Sequence, residues 1–280
     1  MERRRRLASA ERVRELLDSA FASRYHDHAS MLTLSSTAVA LAEEKSHELP
    51  PDLVVAAWTV HGNALRIAGR YQEAERALER AAALPASDSS ARTNLLEVRA
   101  SLYRNTGRFE GAAQFLTAAI DAYRSAGDDE AEARTWNLLG ITYLDWGDRP
   151  RALRAYQASL DLLGSDASVE AVAMTGHNLL EALIAEGRLS AAMSALALLE
   201  PFYRRITSDR LSAKVEWMRA RLCLALQHLP AAEIAFERAY ALLSTEPRSP
   251  ELPLLTKEMA ELQALMSNSP VLAEPETGEE

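Results

Sequence analysis

The chain has 280 residues and a formal net charge of −9, and 48% of its residues are hydrophobic although only 6% are aromatic. Abundant Ala and Leu with few aromatic residues are typical of an all-helical protein. The negative charge argues against general nucleic-acid binding, which needs a basic surface to meet phosphates.

The N-terminal segment is basic at Arg3–Arg6, but no apolar stretch follows the arginines. We therefore expect no secretory signal, and we interpret the arginines as a solvated start of the first helix rather than a site for an acidic partner or nucleic acid. No run of about 18 apolar residues occurs, so we expect no membrane span. A cytoplasmic protein is the resulting expectation.

Amphipathic helix pairs follow one another along the chain. A divergent first pair is predicted over residues 7–45, with its turn near Ser23–Asp27. One more amphipathic helix is predicted over 250–267, and residues 268–280 carry Pro, Gly and acidic residues that are typical of a disordered tail. We predict one domain over residues 1–267, whose further helix pairs lie at 52–88, 92–128, 132–166, 169–205 and 209–245.

The turns between paired helices recur at a nearly constant spacing. Each is marked by a glycine, except that Gln227 takes the glycine's place in the last copy. The turn positions are separated by 38, 40, 40 and 40 residues, which indicates an internal repeat. They are Gly69, Gly107, Gly147, Gly187 and Gln227.

The copy at 132–166 carries the clearest motif. Its first four motif residues share one face of a helix, and the last two lie on the returning helix. The spacing matches W-x2-L-G-x2-Y followed by A-x3-aromatic, so the chain resembles the tetratricopeptide repeat family from about residue 7 to 267. The motif residues are Trp136, Leu139, Gly140, Tyr143, Ala152 and Tyr156.

The resemblance implies an all-α, right-handed superhelical solenoid of about six antiparallel helix-turn-helix repeats with a C-terminal capping helix. The period of about 40 residues, longer than the usual 34 or so, is similar to repeats of bacterial signalling and regulatory proteins. The first helix of each repeat would then line a concave groove.

Motifs of catalysis or cofactor binding are absent from the sequence. We interpret His26, Asp27 and His28 as a polar loop between helices, since neighbouring positions of a helix cannot face one ion. The single cysteine, Cys223, lies among apolar residues and is interpreted as a core residue rather than a nucleophile. We expect neither an enzyme nor a metal or cofactor site.

The resemblance assigns a set of polar side chains to the groove. Although the chain is acidic, this set is rich in arginine and asparagine, which suits an extended peptide with an acidic segment or a free C-terminus. The full carboxylate clamp of the family is missing, because Thr59, Val98 and Leu138 occupy three of its places. The candidates are Asn63, Arg66, Asn94, Ser101, Arg104, Arg134, Asn137, His177, Asn178, Lys214, Trp217 and Arg221.

Three functions fit this reading. The first is a non-catalytic scaffold for protein–protein interaction, which binds a partner protein or peptide in the groove. The second is a regulatory module that senses a small ligand or peptide and controls an effector. The third is self-assembly through Trp217 and the final helix. The alternative for each groove residue is an ordinary solvated position.

Overall fold

The computed structural model describes residues 2–24, 26–85, 89–164, 167–245 and 249–267. Within these ranges the regular structure consists of thirteen α-helices without a strand, which confirms the all-α class. The side chains of Arg3–Arg6 and the predicted tail at 268–280 lie outside the described residues. The helices are α1 Glu2–Ser23, α2 His28–Glu44, α3 Pro51–Ile67, α4 Tyr71–Ala83, α5 Ser89–Asn105, α6 Phe109–Ala126, α7 Asp129–Asp145, α8 Arg149–Leu162, α9 Val169–Ala185, α10 Leu189–Tyr203, α11 Asp209–Ala225, α12 Leu229–Leu243 and α13 Leu252–Ser267.

The helices pack in two compact units, Met1–Ala155 and Tyr156–Glu280, whose boundary falls within α8. In the first unit α1 packs on α2, α3 on α4 and α5 on α6, and in the second unit α9 packs on α10 and α11 on α12. The last helix, α13, packs on α12. These pairs correspond to five of the six predicted helical hairpins, and α13 corresponds to the predicted capping helix. The single domain over 1–267 stays a prediction.

A left-handed residue closes the first helix of five hairpins, as the repeat predicts. The φ angles are 74° at Gly69 and Gly107, 85° at Gly147 and 68° at Gly187, and Gln227 is a non-glycine residue with a φ of 61°. At Gly147 the N–H of the glycine donates to Leu144 at 3.0 Å, and the next N–H donates to Tyr143 at 2.8 Å. This is the Schellman closure of a helix C-terminus, and it satisfies two carbonyls that the helix leaves without a partner.

Small residues lie where paired helices cross. Five alanines at corresponding positions of α4, α6, α8, α10 and α12 have no exposed surface. On the opposite helix, a Cβ on Gly62 would lie 2.6 Å from Leu78 Cδ2, and one on Gly176 would lie 2.6 Å from Leu199 Cδ1. The short side chains therefore permit a close helix–helix approach that larger residues would prevent. The five alanines are Ala74, Ala112, Ala152, Ala192 and Ala232.

Among the described residues, no helix is both long and apolar enough to cross a bilayer.

Candidate functional site

The predicted groove residues of the first unit lie on α3, α5 and α7, and we call their shared side the first-helix face. At its centre, the Arg66 guanidinium is held by two asparagines. Its Nε and Nη2 donate to Asn63 Oδ1 at 3.0 and 2.8 Å, and its Nη1 donates to Asn105 Oδ1 at 3.4 Å. Amide oxygens orient a guanidinium without neutralising it, and Arg66 forms no ion pair with a carboxylate of the described residues.

A second arginine lies close to the first. Burial and the nearby Arg104 charge together lower the pKa of Arg66 below the usual value of arginine. Arg104 has one carboxylate partner, since its Nε lies 3.6 Å from Asp145 Oδ2, and the side chains of Arg104 and Asp145 are 23% and 48% exposed. Asp145 thus pairs with Arg104, whereas Arg66 keeps its positive charge without a paired carboxylate among the described residues.

The other candidates of the first unit differ in exposure. Asn94 and Arg134 are exposed, and Ser101 is half-buried. Burial raises the pKa of Tyr123, where the Glu97 carboxylate adds to the effect and Arg134 opposes it. Asn137 is only 7% exposed, so it offers little surface to a ligand, contrary to our expectation of an open groove side chain. The physical reason is that α7 is buried on more than one side, since Thr135 and Leu139, which point away from Asn137 on the helix, are buried as well.

The first helices of the second unit present a different charge pattern. Arg221 donates to both carboxylate oxygens of Glu258 at 2.9 and 2.5 Å and lies 3.3 Å from Glu181 Oε1. Lys214 Nζ lies 3.7 Å from Glu251 Oε1, and Arg210 lies 2.6 Å from the same atom. The predicted basic groove is therefore wrong for this unit, because two carboxylates outside the first helices face it: Glu258 on α13 and Glu251, which directly precedes α13.

These ion pairs perturb the acids involved. Although burial alone would raise the pKa of Glu251, hydrogen bonds from Arg210 and Ser249 outweigh it and lower the pKa to about 2. Burial alone would likewise raise the pKa of Glu258, but hydrogen bonds from Arg221 and Trp217 lower this pKa below its usual value. Both carboxylates are therefore ionised at neutral pH and hold α13 against α11.

Trp217 is buried rather than exposed. Only 6% of its surface is accessible, it belongs to the core that α11, α12 and α13 share, and its Nε1 donates to Glu258 Oε2 at 2.7 Å. We expected an aromatic side chain in the groove, and the physical reason for the difference is that α13 covers the indole. Its role in this structure is packing, and the self-assembly hypothesis thereby loses its exposed aromatic residue.

His177 and Asn178 complete the predicted set. Burial lowers the pKa of His177 below the usual value of histidine, and its Nε2 lies 4.0 Å from Glu181. His177 borders a cavity of about 360 Å³ that Lys214, Trp217, Arg221 and Glu251 also line. Asn178 is half-buried. This corner of the second unit is polar and charge-balanced, so it is a weaker site for an acidic ligand than the Arg66–Arg104 pair.

Several site residues escaped the sequence reasoning, and a simple signal could have found them. Asn105 lies 39 positions after Arg66, Asp145 lies 41 after Arg104, and Glu258 lies 37 after Arg221. Each contact therefore spans about one repeat period. Adding about one period to Arg66, Arg104 and Arg221 points to the residues that hold them.

The predicted loop near residue 27 has a structural role. Asp27 caps α2, because its Oδ1 accepts from the Ser30 N–H at 2.9 Å and its Oδ2 from the Ser30 hydroxyl at 2.5 Å. Across the described residues, no three His, Cys, Asp or Glu side chains are placed to bind one metal ion.

Comparison with known proteins identifies the repeat. Residues 90–165 match the family model described as Tetratricopeptide repeat. No curated protein matches the chain. Among solved structures, the apo form of the quorum sensor NprR from B. thuringiensis is 16% identical, with a TM-score of 0.65 over 91% of this chain and 73% of that one.

Two further structures share the fold. A Rap protein complexed with Competence and Sporulation Factor is 11% identical, with a TM-score of 0.60 over 92% of this chain and 72% of that one. PilF of Pseudomonas aeruginosa is 14% identical, with a TM-score of 0.56 over 90% of this chain and 99% of that one. Residues 90–165 thus match the tetratricopeptide repeat by sequence, and the chain shares the helical-repeat fold of these structures.

Proposed function

We propose that the protein is an interaction module that binds an acidic, extended segment of a partner protein on the first-helix face of its first unit. The observation that carries this proposal is the half-buried Arg66, which forms no ion pair with a carboxylate of the described residues and lies near a second cation, Arg104. Arg104 itself lies 3.6 Å from the partly exposed Asp145 carboxylate. A half-buried cation without a full counter-charge is costly to keep unless an anion binds there. The acidic ligand would supply the missing charge.

The geometry around Arg66 favours a peptide carboxylate. The guanidinium is already fixed by Asn63 and Asn105, so little side-chain entropy is lost when a ligand binds. A guanidinium can donate two parallel hydrogen bonds to a carboxylate, and such charge-assisted bonds are stronger than neutral ones. Asn63 uses its Oδ1 for Arg66, and its Nδ2 can donate to a peptide carbonyl beside the anchored carboxylate.

A second candidate function uses the same surface for regulation. The fold is similar to that of NprR, a quorum sensor, and to that of a Rap protein seen in complex with Competence and Sporulation Factor. In this version, peptide binding changes the conformation of the repeats and so controls an effector. A peptide-dependent change in small-angle scattering would favour regulation, whereas binding with an unchanged scattering curve would favour a passive scaffold.

Affinity capture tests the proposal when it is combined with matched variants. Proteins captured from the native host by the wild type would be compared with those captured by Arg66→Gln and Arg104→Gln. Arg80→Gln is the control, because Arg80 lies on α4, is 59% exposed and forms only a weak ion pair at 3.8 Å. Acidic peptides made from a captured partner then give dissociation constants for all four proteins.

Truncating one partner of a charge-paired contact costs about 2 kcal/mol or more, so each anchor variant is expected to bind at least about thirtyfold more weakly. The control is expected to bind like the wild type. Equal affinity of the Arg66 and Arg104 variants and the wild type would show that the anchor is wrong.

Asn105→Asp is the most specific variant, because it replaces the side-chain NH2 group with an oxygen and adds a negative charge next to Arg66 with almost no change in shape. It places a carboxylate where Asn105 Oδ1 now accepts from Arg66 at 3.4 Å. The internal carboxylate would neutralise Arg66 and compete with the ligand, so binding should weaken while the fold is retained. Unchanged or tighter binding of an acidic peptide by this variant would contradict the proposed role of Arg66.

A further inference from the structure

An apolar groove lies in the second unit. It runs along α11 between α10 and α12 and has a volume of about 620 Å³, within the range of small-molecule sites. Its apolar lining is aliphatic, and no Phe, Tyr or Trp of the described residues borders it, although the His228 imidazole does. The residues that matter here are Met193 and Leu196 on α10, Leu222, Cys223 and Leu226 at the floor, and Ile234 on α12.

The walls of this groove break the pattern of the other repeats. Ile234 is 51% exposed, and the same position after the turn is Arg76, Gln114, Arg154 and Ser194 elsewhere in the chain. Ala197 is likewise exposed where the other second helices carry Glu79, Thr117, Gln157 and Glu237. Hydrophobic residues at positions that are otherwise polar are therefore specific to this groove and are not a requirement of the repeat.

The groove is charged at one end and mostly aliphatic at the other, where His228 is the one polar lining residue of the described chain. Glu216 and Arg219 lie toward the beginning of α11, and Leu222, Cys223 and Leu226 follow on the same face. The distance from Glu216 to Leu226 along the helix is about 15 Å, at about 1.5 Å per residue. An occupant would therefore need a polar head and an aliphatic chain.

The charges at the polar end are already paired with one another. Arg219 forms an ion pair with Glu200, and its Nε lies 3.2 Å from Glu216 Oε1. Arg238 Nη1 lies 3.8 Å from Glu216 Oε2. A carboxylate head would meet Glu200 and Glu216, and an ammonium head would meet Arg219 and Arg238. An uncharged head that both donates and accepts, such as an amide, fits a guanidinium beside a carboxylate.

We propose that the groove formed by α10, α11 and α12 is a binding site for a small amphipathic molecule with an aliphatic chain and an uncharged amide head. The chain lies over Leu222 and Leu226, between Met193 and Ile234. The head lies at Arg219 and Glu216. This site is independent of the proposed peptide anchor, which belongs to the first unit.

Cys223 makes the site directly testable, because it is the single thiol of the chain and borders the groove. The rate at which a thiol-specific reagent such as dithiobis(nitrobenzoate) modifies Cys223 would be measured against increasing decanamide below its micellar range. Since the bound fraction sets the protection, the rate should fall about tenfold at ten times the dissociation constant. Decanoate and decylammonium, with the same chain and charged heads, should protect much less.

Matched variants separate groove binding from general adsorption. Met193→Glu and Ile234→Glu place a charge on walls that are 52% and 51% exposed, so the fold should tolerate them, and protection should disappear. Leu198→Glu on α10 is the control, because Leu198 is 76% exposed and does not line the groove. If either glutamate variant loses helical circular dichroism, Ile234→Ser introduces the residue that α10 carries at the same position.

Three results would overturn the proposal. The first is a Cys223 rate that decanamide does not change. The second is equal protection by all three heads, or protection that survives both Met193→Glu and Ile234→Glu. The third is protection by an amphipathic helical peptide when decanamide gives none, which would assign the groove to a protein partner instead.

Discussion

Substitutions at two equivalent turns, Gly147 and Gln227, should change the free energy of unfolding in opposite directions, which provides a test of the repeat. Gly147 has a φ of 85°, and a Cβ built there would meet nothing within 4 Å. Gly147→Ala therefore adds no steric clash, and its effect comes from the left-handed backbone alone. Gln227 adopts the same conformation with a φ of 61° but carries a side chain. Gln227→Gly therefore removes the free-energy cost of a non-glycine residue in the left-handed conformation, and Gly147→Ala introduces that cost.

The magnitude follows from two opposing free energies. A left-handed conformation costs a residue other than glycine about 1–2 kcal/mol, whereas the greater freedom of glycine in the unfolded chain costs about 0.5–1 kcal/mol. The difference is about 0.5–1 kcal/mol. Gly147→Ala should lower the free energy of unfolding by this amount, and Gln227→Gly should raise it by a similar amount.

Calorimetry of both variants measures the effect. For a folding unit of about 150 residues, 1 kcal/mol shifts the melting temperature by about 2–4 °C, so shifts of about 1–4 °C in opposite directions are expected. Gly69→Ala is a second case of the same turn, again with nothing within 4 Å of the added Cβ. A stabilising Gly147→Ala or a destabilising Gln227→Gly would refute the claim that backbone conformation decides the residue at these turns.

Three further predictions concern packing and the capping helix. Gly176→Ala should destabilise the second unit by about 1–3 kcal/mol in urea unfolding, because its Cβ would lie 2.6 Å from Leu199 Cδ1; an unchanged midpoint would contradict the close approach. The pKa of Glu251 is lowered from 4.5 to about 2 on folding, so its stabilisation is complete above pH 4.5 and is lost as the pH falls toward 2; Glu251→Gln should flatten the melting temperature over this interval. Glu258→Gln weakens the contact with Arg221 and should cost about 1.5 kcal/mol and speed amide hydrogen exchange in α13; unchanged exchange would show that Glu258 does not hold α13.

Local backbone chemistry explains why the turns could be predicted from the sequence. A glycine after a helix predicts a left-handed closing residue, and the constant spacing extended this to Gln227, which lacks the glycine itself. The alanine positions could be predicted for the same reason, since close crossing of paired helices restricts side-chain size at fixed places in each repeat. The turns and the alanine positions are each determined by contacts within a single helical hairpin.

The site could be predicted only in part, because its charges depend on contacts between repeats. Counting residues along α11 placed Trp217 in the groove, but the position of α13 decides whether that indole is covered. The same count assigned Arg221 to a basic surface, although Glu258 neutralises it from a helix that is not part of any pair. Periodicity within a helix gives the face of a side chain and not what packs against that face.

The period accounts for part of these contacts, and it distinguishes Arg66 from Arg104 and Arg221. Arg104 and Arg221 each meet a carboxylate about one period later in the chain, whereas Arg66 meets the Asn105 amide at the corresponding place. An amide can hold a guanidinium in position but cannot cancel its charge. The interruption of an otherwise regular pairing is therefore the physical reason to place an anionic ligand at Arg66, and the regular pairing elsewhere is the reason to expect structural ion pairs there.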